Sequence, residues 1–226
     1  MSFGRDGERK SARQAPFRNP RKKILVVCEG EKTEPQYLKQ FAKSHRDAIV
    51  DVELAPEIGV PLSVVREARR LKKLAIAASK REGDPYLRND AVWAVFDVDE
   101  HPHVPEALGM ARQNGIKVAL SNPCFELWLV LHHRDAPGMI HRHDVTGMLG
   151  EFITGYDKTV DFDHYRDGYG RAVERARALD ALASELKEPH RNPTTGVYLL
   201  TESILPPKPE PEPRQIVKRH GKRSSY

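Results

Sequence analysis

Two short apolar runs, each closing on acidic residues, set the pattern of this chain. Ile24-Leu25-Val26-Val27-Cys28 leads into Glu29-Gly30-Glu31, and Val92-Trp93-Ala94-Val95-Phe96 leads into Asp97-Val98-Asp99. Continuous apolar runs of this length, rich in β-branched residues, read as strands buried on both faces. Between them the apolar spacing lengthens to that of helices. A first strand over about residues 22–28 passes through Glu29-Gly30-Glu31-Lys32 into a helix starting near Thr33, where Thr33-x-x-Gln36 is a capping-box pattern and Pro35 is tolerated in the first turn. Leu38, Phe41 and Ala42 give that helix an apolar face, and a strand follows over 49–54. After Pro61, the positions Val64, Val65, Ala68, Leu71, Leu74 and Ala75 define a second amphipathic helix that runs to the turn Gly83-Asp84-Pro85.

The strand ending at Asp97 is followed by a helix opened by Pro102 and Pro105 and stopped at Asn114-Gly115, then by a strand over 116–120. Ser121-Asn122-Pro123 reads as a helix cap with a first-turn proline, ahead of the almost wholly apolar helix 125–131. A helix apolar on most sides is buried, so its Glu126 requires a partner. Beyond His132-His133 the pattern predicts helices alone, at 141–153, at 169–186 with Ala172, Ala176, Leu179, Ala183 and Leu186 on one face, and at about 194–205. The segment Pro-Pro-Lys-Pro-Glu-Pro-Glu-Pro from Pro206 is extended and low in complexity.

Alternating strands and helices make this an α/β fold with a mostly parallel central sheet flanked by helices and completed by a helical C-terminal region. The expected organisation is a basic disordered tail at 1–21, one domain at 22–205 (α/β core 22–135, helical part 136–205), and a Pro-rich basic tail at 206–226. Charge supports that division. The chain carries a net +5, but residues 1–23 hold eight Lys/Arg against two acids and residues 206–226 hold six against two, leaving 24–205 at −5. Basic arms on an acidic body suit phosphate contact with nucleic acid, or serve simply to solubilise. Cys28 and Cys124 lack a paired metal spacing and sit in apolar surroundings, as core thiols of a reducing compartment do. No apolar stretch is long enough for a bilayer and no hydrophobic leader is evident, so the expectation is a cytoplasmic protein without membrane attachment.

The acidic strand ends carry the candidate chemistry. In open α/β sheets ligands gather beyond the carboxyl ends of the strands, and alternation in extended chain puts Asp97 and Asp99 on one side. If the two strands are neighbours, Glu29, Asp97 and Asp99 converge, and like charges that close call for a cation between them. Mg²⁺ or Mn²⁺ suits such a set, taking one or two carboxylates plus water and substrate phosphate. Glu126 is a further candidate, either at the same crevice or paired with a base such as Arg134. Lys32 is placed to contact phosphate, and Lys158 lies in a polar loop, Gly155-Tyr156-Asp157-Lys158. The histidine pairs 101/103, 132/133 and 141/143 lack a helical zinc spacing, leaving His101 as a candidate for proton transfer.

Three segments in order, Val27-Cys28-Glu29-Gly30-Glu31-Lys32-Thr33-Glu34-Pro35-Gln36-Tyr37, Phe96-Asp97-Val98-Asp99-Glu100-His101 and Ser121-Asn122-Pro123-Cys124-Phe125-Glu126-Leu127-Trp128, resemble the RloB family, and Asn192-Pro193-Thr194-Thr195 adds to the likeness. That family resembles Toprim domains, the metal-dependent modules of topoisomerases, primases and OLD-type nucleases. The resemblance implies a Toprim-like Rossmannoid fold in which Glu29 does acid/base work and Asp97 and Asp99 hold Mg²⁺. It further implies a nuclease acting on DNA or RNA, tRNA included, in bacterial anti-phage defence, with an ATPase partner. A homo-oligomer remains open. The alternative is a non-catalytic effector or sensor module binding a nucleotide or the ATPase. A HAD-type phosphatase fits poorly, because the aspartate pair is not on the first strand and lacks the following Thr.

Overall fold

In a computed structural model the chain is described over residues 21–45, 48–54, 56, 60–98 and 103–206. The parts of both basic tails beyond those limits lie outside the described residues, as do Asp99, Glu100, His101 and Pro102.

Among the described residues five strands form one sheet in the order β2-β1-β3-β4-β5: β1 Lys22–Cys28, β2 Ala48–Leu54, β3 Ala91–Asp97, β4 Lys117–Asn122 and β5 Thr194–Thr195. The first four are parallel and β5 is antiparallel to β4. Among the described residues seven α-helices cover the sheet: α1 Thr33–His45, α2 Pro61–Glu82, α3 Val104–Gln113, α4 Glu126–Leu131, α5 Arg142–Phe152, α6 Tyr169–Glu185 and α7 Val197–Ile204. The α/β architecture with a mostly parallel sheet is therefore as the pattern predicts.

Strand alternation divides the core in two. Ile24, Val26, Cys28, Trp93 and Val95 point to one side, where α1, α4, α5, α6 and α7 pack Tyr37, Phe41, Trp128 and Leu149 against them. Leu25, Val27, Val92, Ala94 and Phe96 point to the other, under Val64, Val65 and Ala68 of α2 and Ala107 and Ala111 of α3. Each large side chain so buried contributes about 1.5–3 kcal/mol. The helical C-terminal region thus packs on one face of the sheet and shares its core with α1 and α4. Helix α4 is buried at every position, as its composition requires.

Four local expectations are corrected. Ser121 and Asn122 do not cap a helix: both belong to β4, where Ser121 pairs with Thr195 and Asn122 with Thr194, and the Asn122–Pro123 peptide is cis. Pairing with β5 satisfies the backbone groups that a cap would have used. The same two-residue strand breaks the expected all-helical run after His133. The capping box at Thr33 is not formed either. The Thr33 hydroxyl turns to Glu126 and the Lys158 carbonyl, and Gln36 Oε1 accepts from the Val160 N–H, so a tertiary loop takes the side chains that would have capped α1. Finally, Leu74 and Leu186 lie beyond the core-covered parts of α2 and α6 and are about half exposed.

Candidate functional site

The chain leaves β1, packs α1 on one face, pairs β2 beside β1, and then crosses to place β3 on the other side of β1. The order reverses between β1 and β3, and such a switch point opens a crevice at the strand ends. Glu29 and Asp97 stand there. The Glu29 N–H donates to the Val95 carbonyl at 3.0 Å, and the Asp97 N–H donates to Glu29 Oε2 at 3.0 Å. Two candidates read from separate strands are thereby brought into direct contact.

The crevice, about 380 Å³, is lined by Glu29, Gly30, Glu31, Lys32, Thr33, Glu34, Asp97, Glu126, Arg142 and Lys158. Glu126, at the start of α4, accepts from the Thr33 hydroxyl at 3.3 Å and so belongs to the crevice. It is not paired with Arg134, which faces Glu151 at 3.6 Å. Lys32 is exposed on the rim. Lys158 is held there by its loop, which is clamped to α1 through Gln36 and Gln40 bonds to the backbone of Val160 and Phe162. Its left-handed φ of 71° is uncommon for a lysine.

Glu34 and Arg142 are crevice residues that the sequence pattern did not mark. Glu34 reads as an ordinary first-turn acid of α1, yet it is buried beneath Gly30, where a Cβ would meet its carboxylate. Arg142 opens α5 and approaches Asp97 at 3.8 Å. With Lys32 and Lys158 it brings cations to the crevice itself, although the segment 24–205 is acidic overall.

Burial and mutual repulsion shape the acids. Burial, then the charges of Glu126 and Glu29, lifts the Glu34 carboxyl to about 7. Asp97 is raised well above the ordinary range by burial and by Glu34, Glu126 and Glu29, with Arg142 opposing. Glu34 and Asp97 are thereby biased to hold protons in the absence of a cation and to lose them when one enters. Hard oxygen donors with room for water suit Mg²⁺ or Mn²⁺. By donor chemistry the set fits such an ion. Among the described residues, no three His, Cys, Asp or Glu side chains already surround a common point as ligands would. Asp99, one of the three expected ligands, is outside the described residues.

The histidines give no second centre among the described residues. His132 is buried between Tyr37 and Tyr165 in the aromatic core. Cys28 and Cys124 are buried free thiols, and burial raises both above the usual thiol range.

A protein-family model described as RloB-like protein matches residues 24–204. The chain belongs to the RloB-like protein family. The match covers every strand and helix described above except the first two residues of β1, so the crevice lies within the family's shared region and the resemblance to the RloB family is borne out. No curated protein matches the chain. Among the described residues, no helix is long and apolar enough to cross a membrane.

Proposed function

We propose that this RloB-like chain is a Mg²⁺- or Mn²⁺-dependent Toprim-like nuclease that hydrolyses phosphodiester bonds of DNA or RNA. The observation that carries the reading is the meeting of Glu29, Glu34, Asp97 and Glu126 with Lys32, Arg142 and Lys158 at the switch point between β1 and β3. Glu29 and Asp97, joined by Asp99 on the sequence pattern, would hold the ion, whose contribution is to polarise a phosphoryl oxygen and lower the pKa of water. Lys32, Lys158 and Arg142 are the cations available to phosphate oxygens. Glu34, lifted to about 7, is suited to exchange a proton near neutral pH, and Thr33 orients Glu126 beside it.

The family resemblance supports a role in bacterial phage defence alongside an ATPase partner in the cytoplasm. Copurification of that ATPase with the tagged chain tests this part separately.

The central experiment incubates the chain with DNA duplexes, single strands and tRNA, with Mg²⁺, Mn²⁺ or EDTA. Metal-dependent cleavage that is lost in Asp97→Asn and Glu29→Gln is the expected result. Cleavage unchanged in Asp97→Asn would overturn the assignment. Metal or nucleotide binding with no cleavage, even with the ATPase present, would favour the non-catalytic effector module.

A further inference from the structure

Helix α2 lies on the face of the sheet opposite α1 and α4–α7, and its outer side carries a single sign of charge. Arg66, Arg69, Arg70, Lys73, Lys80 and Arg81 are all exposed. At 3.6 residues per turn they fall within an arc of about 120°, centred opposite the buried Val64, Val65 and Ala68. From Arg66 to Arg81 the stripe runs about 22 Å. Its acids lie off the arc: Glu67 bonds Arg70, and Glu82 bonds Arg81. Arg66, Arg69, Lys73 and Lys80 have no ion-pair partner among the described residues.

A face that only solubilises the protein is better built from mixed signs. Here Arg66 and Arg69, Arg66 and Arg70, Arg69 and Lys73, and Arg70 and Lys73 are like-charge neighbours at i,i+3 or i,i+4, an arrangement that opposes helix formation. The first turn carries no acid to meet the helix dipole. The stripe also stands on a body, residues 24–205, whose net charge is −5, so general basicity does not produce it.

We propose that the exposed face of α2 is a docking rail for the phosphate backbone of a polynucleotide. Its length corresponds to about six base pairs of duplex at roughly 3.4 Å each. Arginine and lysine side chains at successive turns neutralise phosphates without reading bases. Because α2 crosses from the end of β2 back toward the start of β3, its Arg66 end lies on the crevice side of the sheet. A strand tracking along the rail arrives at the edge where the acids sit. The inference deepens the nuclease reading by giving it a surface for its substrate, and rests on that reading for the purpose of docking. The charge pattern stands independently.

The test measures binding without catalysis. Full-length Glu29→Gln chain in EDTA is titrated with fluorescent 20-base-pair DNA, tRNA and single-stranded DNA from 50 to 300 mM salt, beside the same chain carrying Arg66→Gln, Arg69→Gln, Lys73→Gln and Lys80→Gln. The tails are common to both, so the difference reports α2. Loss of four phosphate contacts should make the slope of log K against log salt shallower by about 3 and weaken binding by on the order of tenfold or more at low salt. A chain with Arg66→Lys and Arg69→Lys should bind like the parent, with circular dichroism confirming the fold of each. The duplex, tRNA and single-strand arms show which backbone is preferred. Equal slopes and affinities in parent and glutamine variant would overturn the proposal, as would no polynucleotide binding by the parent, or stripe-dependent binding to phosphatidylserine vesicles alone. Failure to cleave leaves this binding result intact, so the two readings fail separately.

Discussion

The backbone N–H of Asp97 donates to the carboxylate of Glu29 across the β1–β3 boundary, at 3.0 Å. Glu29 therefore serves the fold as well as the crevice, because its oxygen satisfies a buried donor at the last residue of β3. Glu29→Ala leaves that donor unpaired at a cost of about 1–3 kcal/mol. For a chain of this size each kcal/mol is about 2–4 °C in melting temperature. Glu29→Gln keeps an oxygen that can accept, so it should melt closer to the parent while losing metal-dependent activity. Equal melting losses in the two variants would show that the hydrogen bond contributes nothing measurable.

The raised carboxyl of Glu34 gives the metal-free chain a stability that depends on pH. Its folded pKa, about 7, lies above that of an unfolded glutamate, so between about pH 4.3 and 7 the folded state binds the extra proton. Its stabilising contribution is complete below that window and is lost as pH rises through about 7. Asp97 acts in the same direction. Relative to the parent in EDTA, Glu34→Gln should therefore melt at a similar temperature at pH 4 and at a higher one at pH 8, by up to a few kcal/mol at about 1.4 kcal/mol per pK unit. Mn²⁺ should raise the parent's melting temperature at pH 8 more than at pH 5, since it competes with those protons. A constant difference between parent and variant across the range would contradict the assignment.

Two glycines separate a local from a global effect. A Cβ on Gly30 would meet the end of the flexible Glu34 side chain, which can move aside. A Cβ on Gly168 would meet the backbone carbonyl of His132, which cannot. Gly30→Ala is thus expected to lower activity and divalent-metal affinity with little change in melting temperature, and Gly168→Ala to lower the melting temperature by several degrees. Thermal melts with and without Mn²⁺ check both.

Much of the crevice was legible because its first elements are local. An apolar run followed by an acid marks the end of a parallel strand, and Glu29 and Asp97 follow from that alone. Glu34 was hidden because a glutamate in the first turn of a helix is ordinary; only the fold reveals that α1 turns this acid inward under Gly30. Arg142 was hidden because no local pattern links the start of α5 to the end of β3. Ser121-Asn122-Pro123 was misread because its partner, Thr194-Thr195, is too short a strand to show a period. Thr33 and Gln36 looked like a cap until the loop around Lys158 claimed them. In each case tertiary partners decided between two uses of the same side chains.

His132 provides a test at the other end of the pH range. Its Nδ1 lies 2.7 Å from the Tyr165 carbonyl, which can only accept, so Nδ1 carries the hydrogen and Nε2 accepts from the Tyr37 hydroxyl at 3.2 Å. The ring is neutral in this arrangement, and burial drives its pKa down to about 3. Here the folded pKa lies below the unfolded value of about 6.5, so the contribution is present above pH 6.5 and is lost as pH falls toward 3. That sign is opposite to the one for Glu34, and the two contributions partly cancel between pH 4.5 and 6.5. Removing each alone separates them. His132→Gln should be less stable than the parent at pH 7, because the ring's edge packing on Trp128 at 4.9 Å is lost, but should lose less stability on acidification to pH 4.5. Tyr37→Phe leaves Nε2 without its donor and should cost about 1 kcal/mol at pH 7. Urea denaturation at pH 4.5 and 7 measures both, and an acid-induced loss in His132→Gln as large as the parent's would place the responsible proton on another group.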